Sequence, residues 1–221
     1  MKLSLLLGRI LWTHPEKADP GRRKIACIGD SITFGAGVPT TRKTDAWPVL
    51  WQKRLGKDYQ VLNYGVSGAT LQKEGHFPYN KIGFLRRLDK ASPELIVLML
   101  GTNDSKPFNW NRERFEREYE TMVNELKSKP WAPKIVLMVP PKSFPEEKTG
   151  IIAFDIVDTV IHDNIRPFVC SLGARLELPV VDLYALTENH PEYFCDGVHP
   201  NVEGNRFIAD IVYDRLKDEL C

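Results

Sequence analysis

Short apolar segments rich in β-branched residues alternate along this chain with longer helical patterns, and this alternation constrains the fold more than any other feature. The apolar segments span residues 24–29, 60–64, 94–100, 134–139 and 179–183. Residues 95–100 and 135–139 are apolar throughout, which is typical of strands that helices cover on both faces. Strand–helix alternation predicts a parallel sheet with right-handed crossovers. We therefore expect an α/β protein with a three-layer α/β/α architecture and five strands.

Amphipathic patterns between these segments predict the helices. They span residues 45–55, 80–89, 112–128, 151–176 and 202–217. In the third of them, Phe115, Tyr119 and Val123 recur at helical spacing on one face, while Glu and Arg occupy the other. A chain of 221 residues suits one medium domain. We assign residues 24–221 to this domain and residues 1–23 to an N-terminal lead-in.

Composition and charge exclude several classes of partner. Apolar residues make up 43% of the chain and charged residues 27%, an ordinary balance for a globular protein. The formal net charge of +1 gives no electrostatic basis for binding nucleic acid or an anionic membrane. The apolar stretches are too short for a transmembrane segment. None of these features indicates an oligomeric state.

The cysteines and the N-terminus bear on the cellular compartment. The cysteines are Cys27, Cys170, Cys195 and Cys221. They show neither CxxC spacing nor a metal-ligand pattern with His, so we expect thiols in a reducing compartment, which favours a cytoplasmic location. Residues 1–7 begin like a signal peptide, so export or a periplasmic location is the alternative. Because Gly8 and Arg9 interrupt that apolar region, we expect a docking helix or an irregular lead-in there.

Four short motifs carry the residue types of an acyl-transfer site. They are Gly29-Asp30-Ser31-Ile32-Thr33, Gly65-Val66-Ser67-Gly68, Gly101-Thr102-Asn103-Asp104 and Asp196-Gly197-Val198-His199-Pro200. The first three follow the first three predicted strands, and the fourth precedes the last predicted helix. Ligands of open α/β sheets bind beyond the carboxyl ends of the strands. We therefore expect the four motifs to meet at one rim of the sheet.

Within these motifs, Ser31 is the candidate nucleophile, because a strand-to-helix turn exposes its hydroxyl and aims its N–H at a developing oxyanion. His199 would take the Ser31 proton as general base, and Asp196 would fix the imidazole tautomer. The N–H of Gly68 and the side-chain amide of Asn103 would complete the oxyanion hole. Each motif alone also suits a helix cap or a turn, and it is their combination that favours catalysis.

The order of these residues, with Gly-Asp-Ser-Ile near the start and Asp-x-x-His near the end, resembles the SGNH (GDSL) hydrolase family from about Lys24 to Leu216. The resemblance implies a flavodoxin-like sheet of strand order 2-1-3-4-5. It also implies hydrolysis of esters through an acyl-enzyme, without a metal or other cofactor. The implied family roles fall on Ser31, as nucleophile and oxyanion N–H, and on Gly68, Asn103, Asp196 and His199.

The sequence around the second and third motifs resembles that of bacterial carbohydrate acetylesterases, some of which act on sialates. Polar and aromatic side chains near these motifs suit a sugar better than a long acyl chain. The candidate substrate-binding residues are Asp30, His76, Tyr79, Lys106 and Trp110. Lys106 could meet the carboxylate of a sialic acid or could be a solvated charge, and the aromatic side chains could instead anchor loops. The predicted substrate is a small-molecule or glycan acetyl ester.

Other functions remain open. A lysophospholipase or thioesterase would use the same chemistry on a longer acyl chain. A non-catalytic sugar-binding module would lack one of the catalytic residues, and none is missing. A flavodoxin-like nucleotide or flavin binder would need a phosphate-binding loop after the first strand, and residues 29–35 match neither the P-loop nor GxGxxG.

Overall fold

The central sheet is built from strands that are buried along most of their length. They are β1 Arg23–Gly29, β2 Tyr59–Gly65, β3 Leu95–Met99, β4 Lys134–Val139 and β5 Val180–Asp182. They pair in parallel in the spatial order β2-β1-β3-β4-β5, which confirms the predicted fold class and strand order. The structure is a computed structural model that describes residues 16–220. The docking helix or irregular lead-in predicted for the first residues, and Cys221, lie outside the described residues.

Helices connect and cover the strands. They are α1 Ser31–Phe34, α2 Arg42–Asp45, α3 Trp47–Leu55, α4 Leu85–Ala91, α5 Arg112–Lys127, α6 Asp158–Val160, α7 Arg166–Leu176, α8 Leu183–Thr187 and α9 Val202–Leu216. The first turns of the two longest helices, α5 and α9, are each capped by the side chain of the preceding residue. Asn111 caps α5 by accepting from the Arg114 N–H at 2.9 Å, and Asn201 caps α9 by accepting from the Gly204 N–H at 3.0 Å.

The sheet separates two apolar clusters because successive side chains of a strand point to opposite faces. In β3, Leu95, Val97 and Met99 join one cluster with residues of α3 and α9, whereas Ile96 and Leu98 join the other with residues of α4, α5 and α7. Each such side chain contributes about 1.5–3 kcal/mol when fully buried. Burial on both faces explains why β3 is apolar throughout, and it gives the predicted three layers.

One predicted helix is shorter than its sequence pattern suggests. We predicted a helix over residues 151–176, but α-helix begins at Asp158, and a π-helical turn, Ile161–Ile165, connects α6 to α7. Before it, Phe154 has φ 61° and Asp155 has φ 58°. Residues in this left-handed region interrupt a right-handed helix. Residues 151–157 therefore form a connection beside the rim of the sheet that contains a single 3-10 turn, Ala153–Asp155, and no α-helix.

The carboxyl ends of the first three strands lie side by side. Gly29 at the end of β1 pairs with Gly65 of β2 on one side and with Met99 of β3 on the other. The loops that follow these strands consequently meet at one edge, as the motif positions predicted. None of the helices within residues 16–220 is long and apolar enough to cross a membrane. In the same part of the chain, Cys27, Cys170 and Cys195 are free thiols.

Candidate active site

Ser31 lies at the first residue of α1, immediately beyond β1. Asp30 is the N-cap of this short helix, and its Oδ1 accepts from the Ile32 N–H at 2.9 Å. The helix packs so closely on the end of β2 that a side chain at Gly65 would collide with the backbone of Phe34. These contacts hold the Ser31 side chain at the rim, where it is 7% exposed. The glycines and the cap therefore build the strand-to-helix turn that a nucleophile requires.

A chain of hydrogen bonds joins Ser31 to His199 and Asp196. Ser31 Oγ lies 2.9 Å from His199 Nε2, and Asp196 Oδ2 lies 2.7 Å from His199 Nδ1. The structure thus brings together three residues that the sequence separates by up to 168 positions. With Nδ1–H donating to the carboxylate, Nε2 carries the lone pair and can accept the Ser31 proton.

The Asp196 carboxylate is fixed by its own turn. Its Oδ1 accepts from the backbone N–H groups of Val198, at 3.0 Å, and His199, at 2.7 Å. Gly197 has φ 78°, and a side chain there would collide with the carbonyl oxygen of Phe144, so this turn requires glycine. Burial opposes ionisation of Asp196, but the hydrogen bonds from His199 and the backbone outweigh it and hold the pKa of Asp196 below its ordinary value. The carboxylate is therefore ionised when it orients the imidazole.

Three residues that line the cleft, Ser31, Gly68 and Asn103, carry N–H donors with hydrogens free for a ligand. Within residues 16–220, the backbone N–H groups of Ser31 and Gly68 donate to no protein acceptor. Asn103 is 6% exposed, and its Nδ2 donates to the Ala69 carbonyl at 3.2 Å, which leaves its second amide hydrogen for a ligand. Gly68 has φ 79°, a conformation that L side chains disfavour. This arrangement matches the donor set of an oxyanion hole.

Asp104 ties the loop after β3 to the loop after β2. Its two carboxylate oxygens accept from the Leu71 and Gln72 N–H groups, each at 2.9 Å. Asp104 is fully buried, and desolvation raises its pKa to about 6 despite these hydrogen bonds. The residue therefore stabilises the relative position of Gly68 and Asn103, which lie on these two loops, without itself lining the cleft.

Ser31 and His199 open onto a cleft of about 270 Å³. Its lining consists of Ser31, Ala36, Ser67, Gly68, Thr102, Asn103, Lys106, Phe154, Ile156, Val198 and His199. Lys106 is half-buried there, and desolvation lowers its pKa although Asp155 and Asp30 act in the opposite direction. Desolvation raises the pKa of Asp30, which is fully buried next to Ser31. The cleft therefore combines one amine with an apolar wall formed by Phe154, Ile156 and Val198.

The other candidate substrate-binding residues lie outside this lining. Tyr79 is 1% exposed and its hydroxyl donates to the Tyr64 carbonyl at 2.7 Å, so it is a core residue, which corrects its predicted role. Trp110 is half-buried and packs on Phe115, with ring centroids 5.5 Å apart. His76 is exposed but does not line the cleft. Asp30 acts as a helix cap, and of these five candidates Lys106 is the one that lines the cleft.

Sequence reasoning missed the apolar wall beside His199. Phe154 and Ile156 belong to the segment that we predicted as helix, and no glycine marks the left-handed turn that places them at the cleft. Val198 could have been found, because it lies within the Asp196–His199 motif. Within the described part of the chain, no group of three or more His, Cys, Asp or Glu side chains could hold a metal ion.

Comparison with known proteins identifies a matching family and named relatives. The model of the GDSL-like lipase/acylhydrolase family matches residues 27–207. A protein named acetylxylan esterase, from Xylanibacter ruminicola, is 34% identical over 96% of this chain, and the chain spans 46% of that protein's length. A protein named arylesterase, from Vibrio mimicus, is 25% identical, and the match covers 97% of this chain and 98% of that protein.

Solved structures show the same fold. A carbohydrate acetylesterase family member from Sinorhizobium meliloti has a TM-score of 0.73 at 24% identity, and the match covers 90% of this chain and 99% of that one. The aryl esterase of M. smegmatis has a TM-score of 0.74 at 21% identity, with 89% and 99% covered. The family match spans most of the chain and includes all four motifs, which confirms the resemblance inferred from the sequence. The chain belongs to the GDSL-like lipase/acylhydrolase family.

Proposed function

We propose that this protein is a serine esterase that removes small acyl groups, acetyl in particular, from carbohydrates through an acyl-enzyme. The observation that carries the proposal is the hydrogen-bonded chain Ser31–His199–Asp196 at the cleft, next to three available N–H donors. Nucleophile, base and oxyanion donors in one cleft are the parts that ester hydrolysis requires.

In the proposed mechanism, Ser31 Oγ attacks the ester carbonyl carbon while His199 Nε2 accepts its proton. The carbonyl oxygen becomes an oxyanion that the N–H groups of Ser31 and Gly68 and the Asn103 amide stabilise. The bond to the alcohol oxygen then breaks, and the His199 proton passes to that oxygen. Water attacks the resulting acyl-serine with His199 again as base, which releases the acid and restores the Ser31 hydroxyl.

The dimensions of the cleft support a small acyl group. Sites for drug-sized ligands have volumes of about 300–1,000 Å³, and this cleft, at about 270 Å³, lies just below that range. Because its walls are both polar and apolar, the small volume of the cleft is what favours a short acyl chain. A lysophospholipase or thioesterase acting on long acyl chains remains the alternative, and a series of esters of increasing chain length separates the two.

The names of two similar proteins support a carbohydrate as the alcohol part of the ester. One relative is named acetylxylan esterase, and one structural neighbour is described as a carbohydrate acetylesterase family member. The sequence analysis named sialic acids as an example, with Lys106 as the partner of the sialate carboxylate. The half-buried Lys106 amine in the cleft is compatible with that choice, but Asp155 and Asp30 already act on it as opposite charges. Acetylated xylan and acetylated sialate are therefore both substrates to test.

The decisive experiment compares wild type, Ser31→Ala and Ser67→Ala on p-nitrophenyl acetate. Ser67 is a matched control because it is another serine that lines the cleft, and no hydrogen bond connects it to His199. We expect Ser31→Ala to lose turnover and Ser67→Ala to retain it. Equal turnover of wild type and Ser31→Ala would refute the assignment of the nucleophile. Faster turnover of octanoyl than of acetyl esters would favour the long-chain alternative.

A further inference from the structure

Two consecutive residues beside the cleft adopt a backbone conformation that is costly for them. Phe154 and Asp155 have φ 61° and 58° in the left-handed region, although neither is glycine. Such residues persist where surrounding structure enforces them, and they concentrate at functional sites. Burial of the Phe154 side chain does little to compensate for this conformation, because the side chain is 53% exposed.

Neighbouring residues hold this turn in place. Ile156 directly follows it and is 6% exposed within the apolar cluster that contains residues of α5 and α7. The Ile156 N–H donates to the Ala153 carbonyl at 3.4 Å, which closes the turn. The result is that the Phe154 ring stands against the His199 ring, with centroids 5.0 Å apart and planes 70° apart.

The reaction geometry determines which part of the substrate would meet Phe154. His199 Nε2 must return its proton to the leaving oxygen, so the alcohol part of the ester lies on the His199 side of the carbonyl carbon. The oxyanion lies at the donors of Ser31, Gly68 and Asn103. Because the Phe154 ring adjoins His199, it adjoins the alcohol part of the ester.

We propose that Phe154 is a specificity-determining residue that binds the alcohol part of the ester by stacking against its sugar ring. The proposal rests on the function proposed above and adds the residue that selects the leaving group. An exposed aromatic ring offers an apolar face with little conformational freedom to lose on binding. On this proposal, the unfavourable left-handed backbone at Phe154 and Asp155 is what places the ring beside His199.

A second groove lies near the cleft. It has a volume of about 880 Å³ and is lined by Ala153, the residue before Phe154, and by Asp196, whose carboxylate is hydrogen-bonded to His199. Further sugar units attached to the one at Phe154 can enter this groove. The substrate that best probes the proposal is consequently an acetylated xylo-oligosaccharide rather than a monosaccharide.

The test measures kcat and KM on two acetate esters for wild type, Phe154→Ala and Phe154→Trp. Methyl acetate has an alcohol too small to stack on the ring, whereas the acetylated xylo-oligosaccharide reaches it. We expect Phe154→Ala to raise KM for the oligosaccharide about tenfold, from the loss of an aromatic contact, with a far smaller change on methyl acetate. Phe154→Trp should restore most of the oligosaccharide affinity. Phe108→Ala is the control, since Phe108 is 63% exposed and does not line the cleft.

A stability measurement separates the effect of losing the Phe154 ring from the effect of its left-handed backbone. Phe154→Gly loses the ring as Phe154→Ala does, but glycine adopts the left-handed conformation freely. We expect Phe154→Gly to melt about 2–4 °C above Phe154→Ala, with the same loss of oligosaccharide affinity.

Two outcomes would overturn the proposal. Equal losses of kcat by Phe154→Ala on both esters would mean that the ring shields His199 and does not bind the alcohol, while the proposed esterase function stands. A wild type that hydrolyses neither ester would overturn the proposed function and the selectivity role with it.

Discussion

Replacing Asn103 with alanine removes the side-chain amide that lines the cleft. Its second amide hydrogen is the donor available to the oxyanion, because the first is used by the Ala69 carbonyl at 3.2 Å. Loss of one oxyanion donor costs about 2.7–4 kcal/mol of transition-state stabilisation, so kcat should fall by about 10²–10³-fold with little change in KM. Loss of the bond to Ala69 should lower the free energy of unfolding by about 1 kcal/mol, a decrease in Tm of about 2–4 °C.

The matched control for this substitution is Asn109→Ala. Asn109 is also 6% exposed on the same loop, and its Nδ2 donates to the Asn103 carbonyl at 2.7 Å, but it does not line the cleft. We expect a similar loss of stability and a much smaller loss of kcat. Steady-state kinetics on p-nitrophenyl acetate and thermal unfolding supply both readouts. A decrease in kcat below about tenfold for Asn103→Ala, with Tm close to that of the control, would refute the role of Asn103 as a transition-state donor.

Three further substitutions test the supports of the site. Asp196→Asn should lower kcat by roughly 10⁴-fold on p-nitrophenyl acetate, because the amide would face His199 Nδ1 and favour the wrong imidazole tautomer. Gly68→Ala should lower the free energy of urea unfolding by about 1–2 kcal/mol, since φ is 79° and a Cβ would meet no atom within 4 Å. The raised pKa of Asp104, about 6, means that the folded state binds its proton more tightly than the unfolded state. The contribution of Asp104 to the free energy of unfolding is fully present below the ordinary pKa of 3.8 and is lost as the pH rises through about 6. The change amounts to about 3 kcal/mol, and urea unfolding of Asp104→Asn at several pH values should no longer show it.

The long helices were predictable because their signals are local. The helical spacing of Phe115, Tyr119 and Val123 predicted residues 112–128, and α5 spans Arg112–Lys127. The residues before α5 and α9 are Asn111 and Asn201, whose side chains cap the helices from within one turn. Periodicity and capping involve residues that are neighbours in the sequence. A helix can therefore be predicted from its own segment of the chain.

The meeting of the four motifs was predictable for a different reason. Parallel strands place their carboxyl ends at one edge, so residues that follow β1, β2 and β3 converge whatever their separation in sequence. The substrate-binding residues had no such constraint. Tyr79 has the polar and aromatic character of a sugar ligand, but packing against Phe84 and a hydrogen bond to Tyr64 make it a core residue. Phe84 is a neighbour in the sequence, but Tyr64 lies 15 positions earlier in β2, and the sequence around Tyr79 does not indicate that hydrogen bond.

The sequence by itself determined the order of strands and helices, the family and the rim at which Ser31 and His199 meet, because periodicity and motifs are local patterns and a parallel sheet brings its strand ends to one edge. The tertiary structure decided the shape of the cleft and its apolar wall. Phe154 adopts a left-handed conformation that its own residue type disfavours. It is held there by the burial of Ile156 and by the hydrogen bond from the Ile156 N–H to the Ala153 carbonyl. Contacts that connect distant segments can enforce a locally unfavourable backbone, and for that reason only the folded chain shows it.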